Sequence, residues 1–290
     1  MMMLDRRTLL TSIAGLTAWS RGWSLAQNAL PALAGYERET GGRIGLYAKN
    51  LSTGTNLTWR GSERFVMCST FKASLAALAL KRIDRGQDQL DSMIPYDSSD
   101  IPDWHAPVAK QNLAKGAMSV ADMCEAAVEY SDNTCANLLL ARVGGPDSLT
   151  AFWRSTGDSV TRLDHNEPML NLSRPGDPRD TTTPVAMAGT LRRLLLGEVL
   201  SPESRKHLVS WMVNCKTGDN RLRGGLPKHW TIGDKTGNNG NDAAGDIAVV
   251  WPKPNTPVLI CAYTQGGSPT AAQLDAVFAE IGRIVGELLG

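Results

Sequence analysis

The pattern of apolar and polar positions gives the chain strand-rich ends and a helical middle. Near the start, PALAGYERETGG predicts a helix that stops at Gly41-Gly42, and the alternating segment RIGLYAKN predicts a strand whose hairpin partner lies near Leu57 to Arg60. Towards the end, WTIGDKTG, GDIAVVWP and TPVLICAYT predict three further antiparallel strands. The last segment, Pro269 to Leu289, carries the apolar stripe of an amphipathic helix.

Helix start signals recur in the middle of the chain, from Ser69 to about Cys215. Ser119 precedes Asp122 by three positions, which is a capping signal. Thr183-Pro184 and Ser201-Pro202 each place a capping side chain before a proline at the first helical position. The middle of the chain is therefore predicted to be helical.

Together these elements predict an α+β fold. We expect residues 27–60 and 216–290 to form an α/β/α sandwich around an antiparallel five-stranded sheet, and residues 61–215 to form an all-α domain. This helical domain includes a polar, proline-containing loop at residues 162–182. A cleft between two such lobes is a common location for a functional site.

Composition and charge exclude some classes of function. With 42% hydrophobic and 20% charged residues, the 290-residue chain has the composition of an ordinary globular protein. Its formal net charge of +1 gives no indication of a nucleic-acid partner. We expect a monomer that acts on small molecules.

The N-terminus has the pattern of an export signal. Arg6-Arg7 precedes an apolar stretch, and small residues at Ser24 and Ala26 place cleavage after Ala26, so that residues 1–26 would be removed. The paired arginines, with Arg21 after the apolar stretch, favour the twin-arginine pathway, with an ordinary secretory signal as the alternative. We therefore expect a periplasmic or secreted protein with no membrane association after cleavage.

Cysteine and histidine usage gives no indication of a metal site. The five cysteines have neither a metal-binding spacing nor the density of a disulfide scaffold, and the four histidines form no HxH or HExxH pattern. We expect no metal and no cofactor, with the cysteines acting as small buried apolar residues.

A serine and a lysine three positions apart supply candidate chemistry in CSTFKASLAALALK. Ser69 and Lys72 would project from one face of the first turn of a helix. A serine hydroxyl is a poor nucleophile without an adjacent base, and a lysine becomes a base when burial or nearby positive charge lowers its pKa. Alone, this pair is expected to occur by chance about once in a chain of this length.

Two further motifs make the signal specific. YSDN contributes Ser131 and Asn133, and DKTG places Lys235, Thr236 and Gly237 on a predicted strand. SxxK, SDN and KTG in this order and setting resemble the penicillin-recognising serine enzymes, which comprise β-lactamases and the D,D-peptidases that build peptidoglycan.

The polar loop narrows the resemblance to class A serine β-lactamases. NEPMLN, with Glu167 and Asn171, resembles the ExxLN motif of their Ω-loop, and the similarity extends over nearly the whole chain after the signal. It implies that the β-lactam amide bond is hydrolysed through an acyl-enzyme, conferring antibiotic resistance. Glu167 decides between turnover and a stable acyl-enzyme, because release of the ester needs an activated water.

The resemblance also assigns catalytic roles. Ser69 would be the nucleophile, with Lys72 and Glu167 sharing the role of base during acylation. Ser131 would pass a proton to the lactam nitrogen, held in place by Lys235. The backbone N–H groups of Ser69 and Asn238 would form the oxyanion hole.

Substrate binding would fall to polar residues around the nucleophile. Asn133 would bind the side-chain amide of the substrate, and Asn171 would help to fix the hydrolytic water. The substrate carboxylate needs cations and donors, for which the candidates are Lys235, Thr236 beside Gly237, and Arg221.

The chain departs from the family pattern at three places. His165 stands where many relatives have an arginine that pairs with the loop aspartate, here Asp180, so the loop is expected to be looser or braced differently. Cys68 and Cys124 match halves of family disulfides whose other halves are missing here. Trp104 or His105 is a candidate for the rim of the pocket.

Two alternatives compete with the hydrolase. One is a D,D-peptidase, or penicillin-binding protein, and the other is a non-catalytic β-lactam sensor module. Neither needs Glu167 or Asn171. The ranking of penicillins, cephalosporins and carbapenems, the response to inhibitors, and the acylation base stay open at this level, because small shifts in such pockets decide them.

Overall fold

A computed structural model describes residues 31–101, 105–172 and 174–290. The export signal predicted at residues 1–26 and the rim candidate Trp104 lie outside the described residues. None of the helices in these ranges is long and apolar enough to cross a membrane.

The described residues form nine strands and ten helices. The strands are β1 Arg43–Asn50, β2 Asn56–Trp59, β3 Phe65–Val66, β4 Met93–Pro95, β5 Ala117–Ser119, β6 Thr181–Thr182, β7 Thr231–Asn238, β8 Ala244–Trp251 and β9 Val258–Gln265. The helices are α1 at residues 31–40, α2 Phe71–Asp84, α3 Pro107–Asn112, α4 Val120–Glu129, α5 Asn133–Val143, α6 Gly145–Ser155, α7 Pro184–Leu196, α8 Pro202–Val213, α9 Leu222–Gly225 and α10 Ala271–Leu289.

Five strands form one antiparallel sheet in the order β2-β1-β9-β8-β7. This confirms the predicted five-stranded sheet, although β2 begins and ends one residue before the predicted Leu57 to Arg60. The strand β7, which carries the KTG motif, lies at the sheet edge, where Gly237 pairs with Gly245 of β8. An edge strand leaves one side open to a ligand.

The sheet is buried on both faces. Successive side chains of a strand point to opposite sides, so each strand contributes to two cores. On β8, Ile247 and Val249 pack into the core shared with the helical region, whereas Ala248 and Val250 pack into the core beside α10. Apolar groups of the sheet and of the helical region share the first core. The proposed domain limit at residues 61–215 therefore stays a prediction.

The helical region contains four short strands that the pattern did not predict. β3 pairs with β6, and β4 pairs with β5. Segments of two or three residues are too short for an alternating pattern to be recognised. The β3–β6 pair sets Phe65 opposite Thr182, and so ties the chain before Ser69, the predicted nucleophile, to the end of the polar loop.

The predicted caps are confirmed. Hydroxyl groups of Ser119, Thr183 and Ser201 accept hydrogen bonds from backbone N–H groups three residues later, at 3.1, 3.1 and 3.2 Å. Each satisfies an N–H that the first helical turn leaves unpaired. The helix α5 ends at Gly144, which adopts the left-handed conformation common at the C-terminal end of a helix.

Candidate active site

Ser69 lies on a 3₁₀ turn, Cys68–Thr70, that joins β3 to α2. Its side chain is largely buried, and Oγ donates a hydrogen bond to Oε1 of Glu167 at 3.0 Å. Thr70 stabilises the turn, since its hydroxyl donates to the carbonyl of Met67 at 2.8 Å. The predicted nucleophile thus has a carboxylate directly beside its hydroxyl group.

Lys72 is fully buried at the start of α2 and connects the SDN motif to the loop that carries Glu167. Its Nζ donates to the carbonyl of Ser131 at 2.8 Å and to Oδ1 of Asn133 at 2.6 Å. The same Nζ lies 3.1 Å from Oε1 of Glu167. The ammonium therefore joins the SDN loop to the loop carboxylate.

Burial lowers the pKa of Lys72 below its ordinary value, and the negative charge of Glu167 opposes part of this shift. Desolvation of the ammonium is the larger effect because the side chain is out of contact with solvent. A lysine in this state loses its proton more readily than one in water. The site therefore contains two groups that can accept the serine proton.

Two amide side chains fix Glu167. Asn171 Nδ2 donates to Oε2 at 2.5 Å. From α5, Asn137 accepts from the backbone N–H of Glu167 and donates to its carbonyl, both at 3.0 Å. Sequence reasoning missed Asn137. The signal was present, since Asn137 follows Asn133 by four residues and so lies on the same face of the helix.

Asp132, the middle residue of the SDN motif, has a structural role that the motif alone did not indicate. Its Oδ1 caps α5 by accepting from the N–H of Cys135 at 2.9 Å. Its Oδ2 accepts from Val108 and Ala109 at the start of α3, at 2.9 and 3.0 Å. This fully buried carboxylate thereby fixes the backbone that presents Ser131, which has a left-handed φ of 59°.

Gly237 lies directly against the turn Cys68–Thr70, which carries the predicted nucleophile and is called the nucleophile turn below. A Cβ atom at this position would stand 2.7 Å from the backbone nitrogen of Ser69. Real Cβ contacts do not occur at that distance, so the glycine permits the close approach of β7 to Ser69. The KTG glycine is thus required by packing rather than by backbone conformation.

Lys235 is fully buried on β7, and burial lowers its pKa to about 8, with repulsion from Lys72 in the same direction. Its Nζ donates to the carbonyl of Thr236 at 2.7 Å. The resemblance implies a contact between Lys235 and Ser131, but the hydrogen bonds within the described ranges include none between them. Ser131 Oγ instead accepts from Lys72 at 3.5 Å.

Arg221 lies behind the edge of the sheet. Its Nη1 donates to the carbonyls of Gly237 and Gly245, at 2.8 and 2.9 Å, and its guanidinium stacks 5.3 Å from the ring centre of Phe278. Its Nε lies 3.6 Å from a carboxylate oxygen of Asp275. Arg221 therefore braces β7 against β8 while lining the site.

A cavity of about 280 Å³ brings together most of the predicted residues. His105, the rim candidate within the described ranges, lines it, and its ring Nε2 lies 2.8 Å from the carbonyl of Tyr130. Thr236 joins Thr217 through their hydroxyl groups at 2.5 Å. The predicted residues that line the cavity are Ser69, Ser131, Asn133, Glu167, Asn171, Arg221, Thr236, Gly237 and Asn238.

The polar loop is braced by His165, which corresponds to the second of the two expected outcomes, a looser loop or one braced differently. The ring Nδ1 of His165 lies 2.6 Å from Oδ2 of Asp180. Oδ1 of Asp180 accepts from the backbone N–H groups of Asp164 and His165, at 2.7 and 3.0 Å. One buried carboxylate thus holds both the ring and the backbone of the loop.

All five cysteines are buried, as predicted, and the structure shows each of them unpaired. Burial raises the pKa of each thiol. Cys68 packs with Val66 and Ala243 beside the nucleophile turn. The thiols therefore act as small apolar groups in this fold.

Comparison with known proteins agrees with this geometry. The sequence profile of the β-lactamase enzyme family matches residues 26–289. β-Lactamase L2 of Stenotrophomonas maltophilia is 46% identical over 97% of this chain and 93% of its own length. β-Lactamase Toho-1 of Escherichia coli is 40% identical over 97% of both.

Solved structures agree as well. An ancestral class A β-lactamase has 52% sequence identity and a TM-score of 0.85, over 91% of this chain and 99% of that one. The crystal structure of a β-lactamase from Xanthomonas campestris has 46% identity and a TM-score of 0.88, over 92% of this chain and 99% of that one. The chain therefore belongs to the β-lactamase enzyme family, with the fold of its class A members.

Proposed function

We propose that this β-lactamase opens the β-lactam ring by forming an acyl-enzyme on Ser69, which a water activated by Glu167 then hydrolyses. Hydrolysis of β-lactams, and so resistance to them, is the activity that the family and the named relatives support. The observation that carries the mechanism is the position of Glu167, with one carboxylate oxygen on Ser69 Oγ and the other on Asn171.

Acylation begins when Ser69 Oγ attacks the carbonyl carbon of the lactam. The serine proton has two acceptors at hand, the carboxylate of Glu167 at 3.0 Å and, beyond it, the amine of Lys72. As the C–N bond breaks, Ser131 Oγ delivers a proton to the ring nitrogen and recovers one from Lys72, its neighbour at 3.5 Å. The proton taken from Ser69 passes to Lys72 and replaces the one it gave, so Glu167 is left as a carboxylate. The product is a serine ester.

The negative charge on the lactam oxygen needs donors that are already in place. We assign this role to the backbone N–H groups of Ser69 and Asn238. Gly237 supports the assignment, because the close approach of β7 to Ser69 sets the spacing of the two amides. Each such donor is worth about 3–4 kcal/mol in the transition state.

Deacylation is the step that makes the enzyme turn over. Glu167 takes a proton from water, and the resulting hydroxide attacks the ester carbonyl. The bond between that carbon and Ser69 Oγ then breaks, and Glu167 returns the proton to Ser69 Oγ, which regenerates the free enzyme and releases the acid. Asn171 Oδ1 is buried and has no hydrogen-bond partner within the described part of the chain, so it is suited to accept from that water. General-base assistance of this kind is worth about 10²–10⁴-fold.

The substrate carboxylate would bind at the exposed end of β7. Lys235 supplies positive charge from within the sheet, the Thr236 hydroxyl supplies a hydrogen bond, and Arg221 adds a second cation behind Gly237. Asn133 would bind the side-chain amide of the substrate through its amide group. No metal and no cofactor enter this scheme.

Counting turnovers of nitrocefin tests the proposal. The wild type should hydrolyse many equivalents. Glu167→Ala should release about one equivalent in a burst and then stop, since it lacks the deacylation base. Mass spectrometry should find the acyl group on the variant alone. A wild type that stops after one equivalent would favour a D,D-peptidase or a sensor module, and equal acyl-enzyme in both proteins would remove Glu167 from deacylation.

We further propose that the enzyme is exported by the twin-arginine pathway as a monomer and acts in the periplasm or outside the cell. The five buried thiols support folding without disulfides, as in the reducing cytoplasm before export. Arg6-Arg7→Lys-Lys should keep the precursor in the cytoplasm of a Gram-negative host. Periplasmic activity that survives in a host lacking the twin-arginine translocase would point to the general pathway.

A further inference from the structure

A second cavity, of about 530 Å³, lies away from the catalytic residues and is nearly twice as large as the catalytic cavity. It is bordered by the last turns of α2 and by α6, with Val143 at the end of α5. Three cations that are close in sequence, Lys81, Arg82 and Arg85, line one side. The positive charge is therefore concentrated beside an open cavity.

None of these three cations has a carboxylate within ion-pair distance among the residues that the structure describes. In addition, Nε of Arg82 is buried and lacks a hydrogen-bond partner in those ranges. A buried donor without a partner is uncommon in folded proteins and costs about 1–3 kcal/mol.

The nearby carboxylates are already bound elsewhere. Asp84 accepts from the hydroxyl groups of Ser201 and Ser204, at 2.7 and 2.6 Å. Asp88 accepts two hydrogen bonds from Arg142, at 2.7 and 2.6 Å. Lys81 acts on Asp84 and Arg82 on Asp88 through space, but neither cation forms an ion pair with these carboxylates, so its charged group is left free to bind an anion.

An ordinary structural explanation accounts for part of this arrangement. Cations in the last turn of a helix interact favourably with the helix dipole, which applies to Lys81 and Arg82. Lys81, however, donates to the carbonyl of Val199, outside its own helix, at 2.6 Å. The dipole also gives no reason for an open cavity next to the cations.

The lining of the cavity also has apolar parts. Leu78, Val143 and Phe152 contribute hydrocarbon surface, and Phe152 and Val143 are largely buried. A cavity lined by both cations and hydrocarbon complements a ligand that is both anionic and apolar. Inorganic anions would use only half of it.

We propose that this cavity binds a soluble organic anion, with a sulfonate, carboxylate or phosphate group on the three cations and an apolar body against Leu78, Val143 and Phe152. The site is separate from the catalytic one. Lys72 and Arg82 are ten residues apart on the same helix, α2, which places them about 15 Å apart along the helix axis.

Binding of naphthalene-1-sulfonate to the full chain, measured by calorimetry, tests the proposal. The wild type should bind one equivalent. R82Q/R85Q should bind about tenfold more weakly, because two charge contacts with the anion are lost. Ala151→Trp, which places a large ring on the wall of the cavity, should abolish binding while leaving the cations intact. Inorganic sulfate should not displace the ligand at equal concentration.

Lys206→Gln/Lys253→Gln serves as the control for loss of net charge, since it removes two exposed cations elsewhere and should change affinity less than twofold. Circular dichroism establishes that each variant is folded, and Arg85→Gln alone replaces the double variant if that one is not. Equal affinity in all variants would overturn the proposal. So would competition with nitrocefin at the same affinity, because the anion would then occupy the catalytic cavity.

Discussion

Asn137 and Glu167 are joined by two hydrogen bonds between a helix and a loop. The side-chain amide of Asn137 donates to the carbonyl of Glu167 and accepts from its N–H, both at 3.0 Å. The loop residue thus pairs with the helix as it would with a neighbouring strand. Because α5 also carries Asn133, which contacts Lys72, one rigid helix positions both the amine and the carboxylate.

Asn137→Ala should therefore slow deacylation more than acylation. Loss of both hydrogen bonds frees the backbone of Glu167, and each unpaired buried group costs about 1–3 kcal/mol. We expect the deacylation rate to fall about tenfold or more, and acyl-enzyme to accumulate in stopped-flow experiments.

The matched control is Asn50→Ala, which removes a side-chain amide that donates to the carbonyl of Leu289 and accepts from the N–H of Ser52, away from the site. It should leave the ratio of the two rates unchanged. Acylation and deacylation that slow equally in Asn137→Ala would mean that Asn137 serves only the stability of the fold.

Gly237→Ala should damage the oxyanion hole. The new methyl group would stand 2.7 Å from the backbone nitrogen of Ser69, so β7 must move away from the nucleophile turn. We expect kcat to fall about 10²–10³-fold, as on loss of one oxyanion donor. Gly35→Ala is the control, because its methyl group meets only Arg38, at 3.9 Å. An unchanged kcat in Gly237→Ala would show that the close approach of β7 to Ser69 is not needed for catalysis.

Lys235 should give the pH profile of kcat/KM a basic limb. Burial lowers its pKa to about 8, so the ammonium that attracts the substrate carboxylate is present below that pH and is lost above it. We expect kcat/KM to fall about tenfold per pH unit beyond the limb. Lys235→Arg should move the limb upwards, since arginine stays charged. The control variant Lys206→Arg should leave the limb at the same pH. If the limb also stays at the same pH in Lys235→Arg, another group is responsible for the titration.

Asp180→Asn should loosen the loop that carries Glu167. An amide cannot accept from the His165 ring and from two backbone N–H groups as the carboxylate does. We expect the free energy of unfolding to fall by about 1–3 kcal/mol, with faster proteolysis of the loop. Asp91→Asn, at an exposed carboxylate outside this loop, should leave both measurements unchanged. Equal stability of Asp180→Asn and wild type would show that the loop is held elsewhere.

Much of the fold was readable from local pattern. Alternation and helical periodicity located the five sheet strands, the terminal helix and the caps at Ser119, Thr183 and Ser201, because each depends on residues a few positions apart. The strands β3 to β6 escaped prediction, since two or three residues carry no period. Their pairing partners lie far away in the chain.

The sequence by itself determined which residues can carry the chemistry, since SxxK, SDN, ExxLN and KTG specify a hydroxyl, an amine and a carboxylate by type and order. Only the tertiary structure decided how they meet. It shows that Lys72 is hydrogen-bonded to Asn133 and ion-paired with Glu167. It also shows that Lys235 donates to the carbonyl of Thr236 rather than to Ser131. It also revealed Asn137. Contacts between side chains tens of residues apart depend on how helices and sheet pack, and packing is a property of the whole chain.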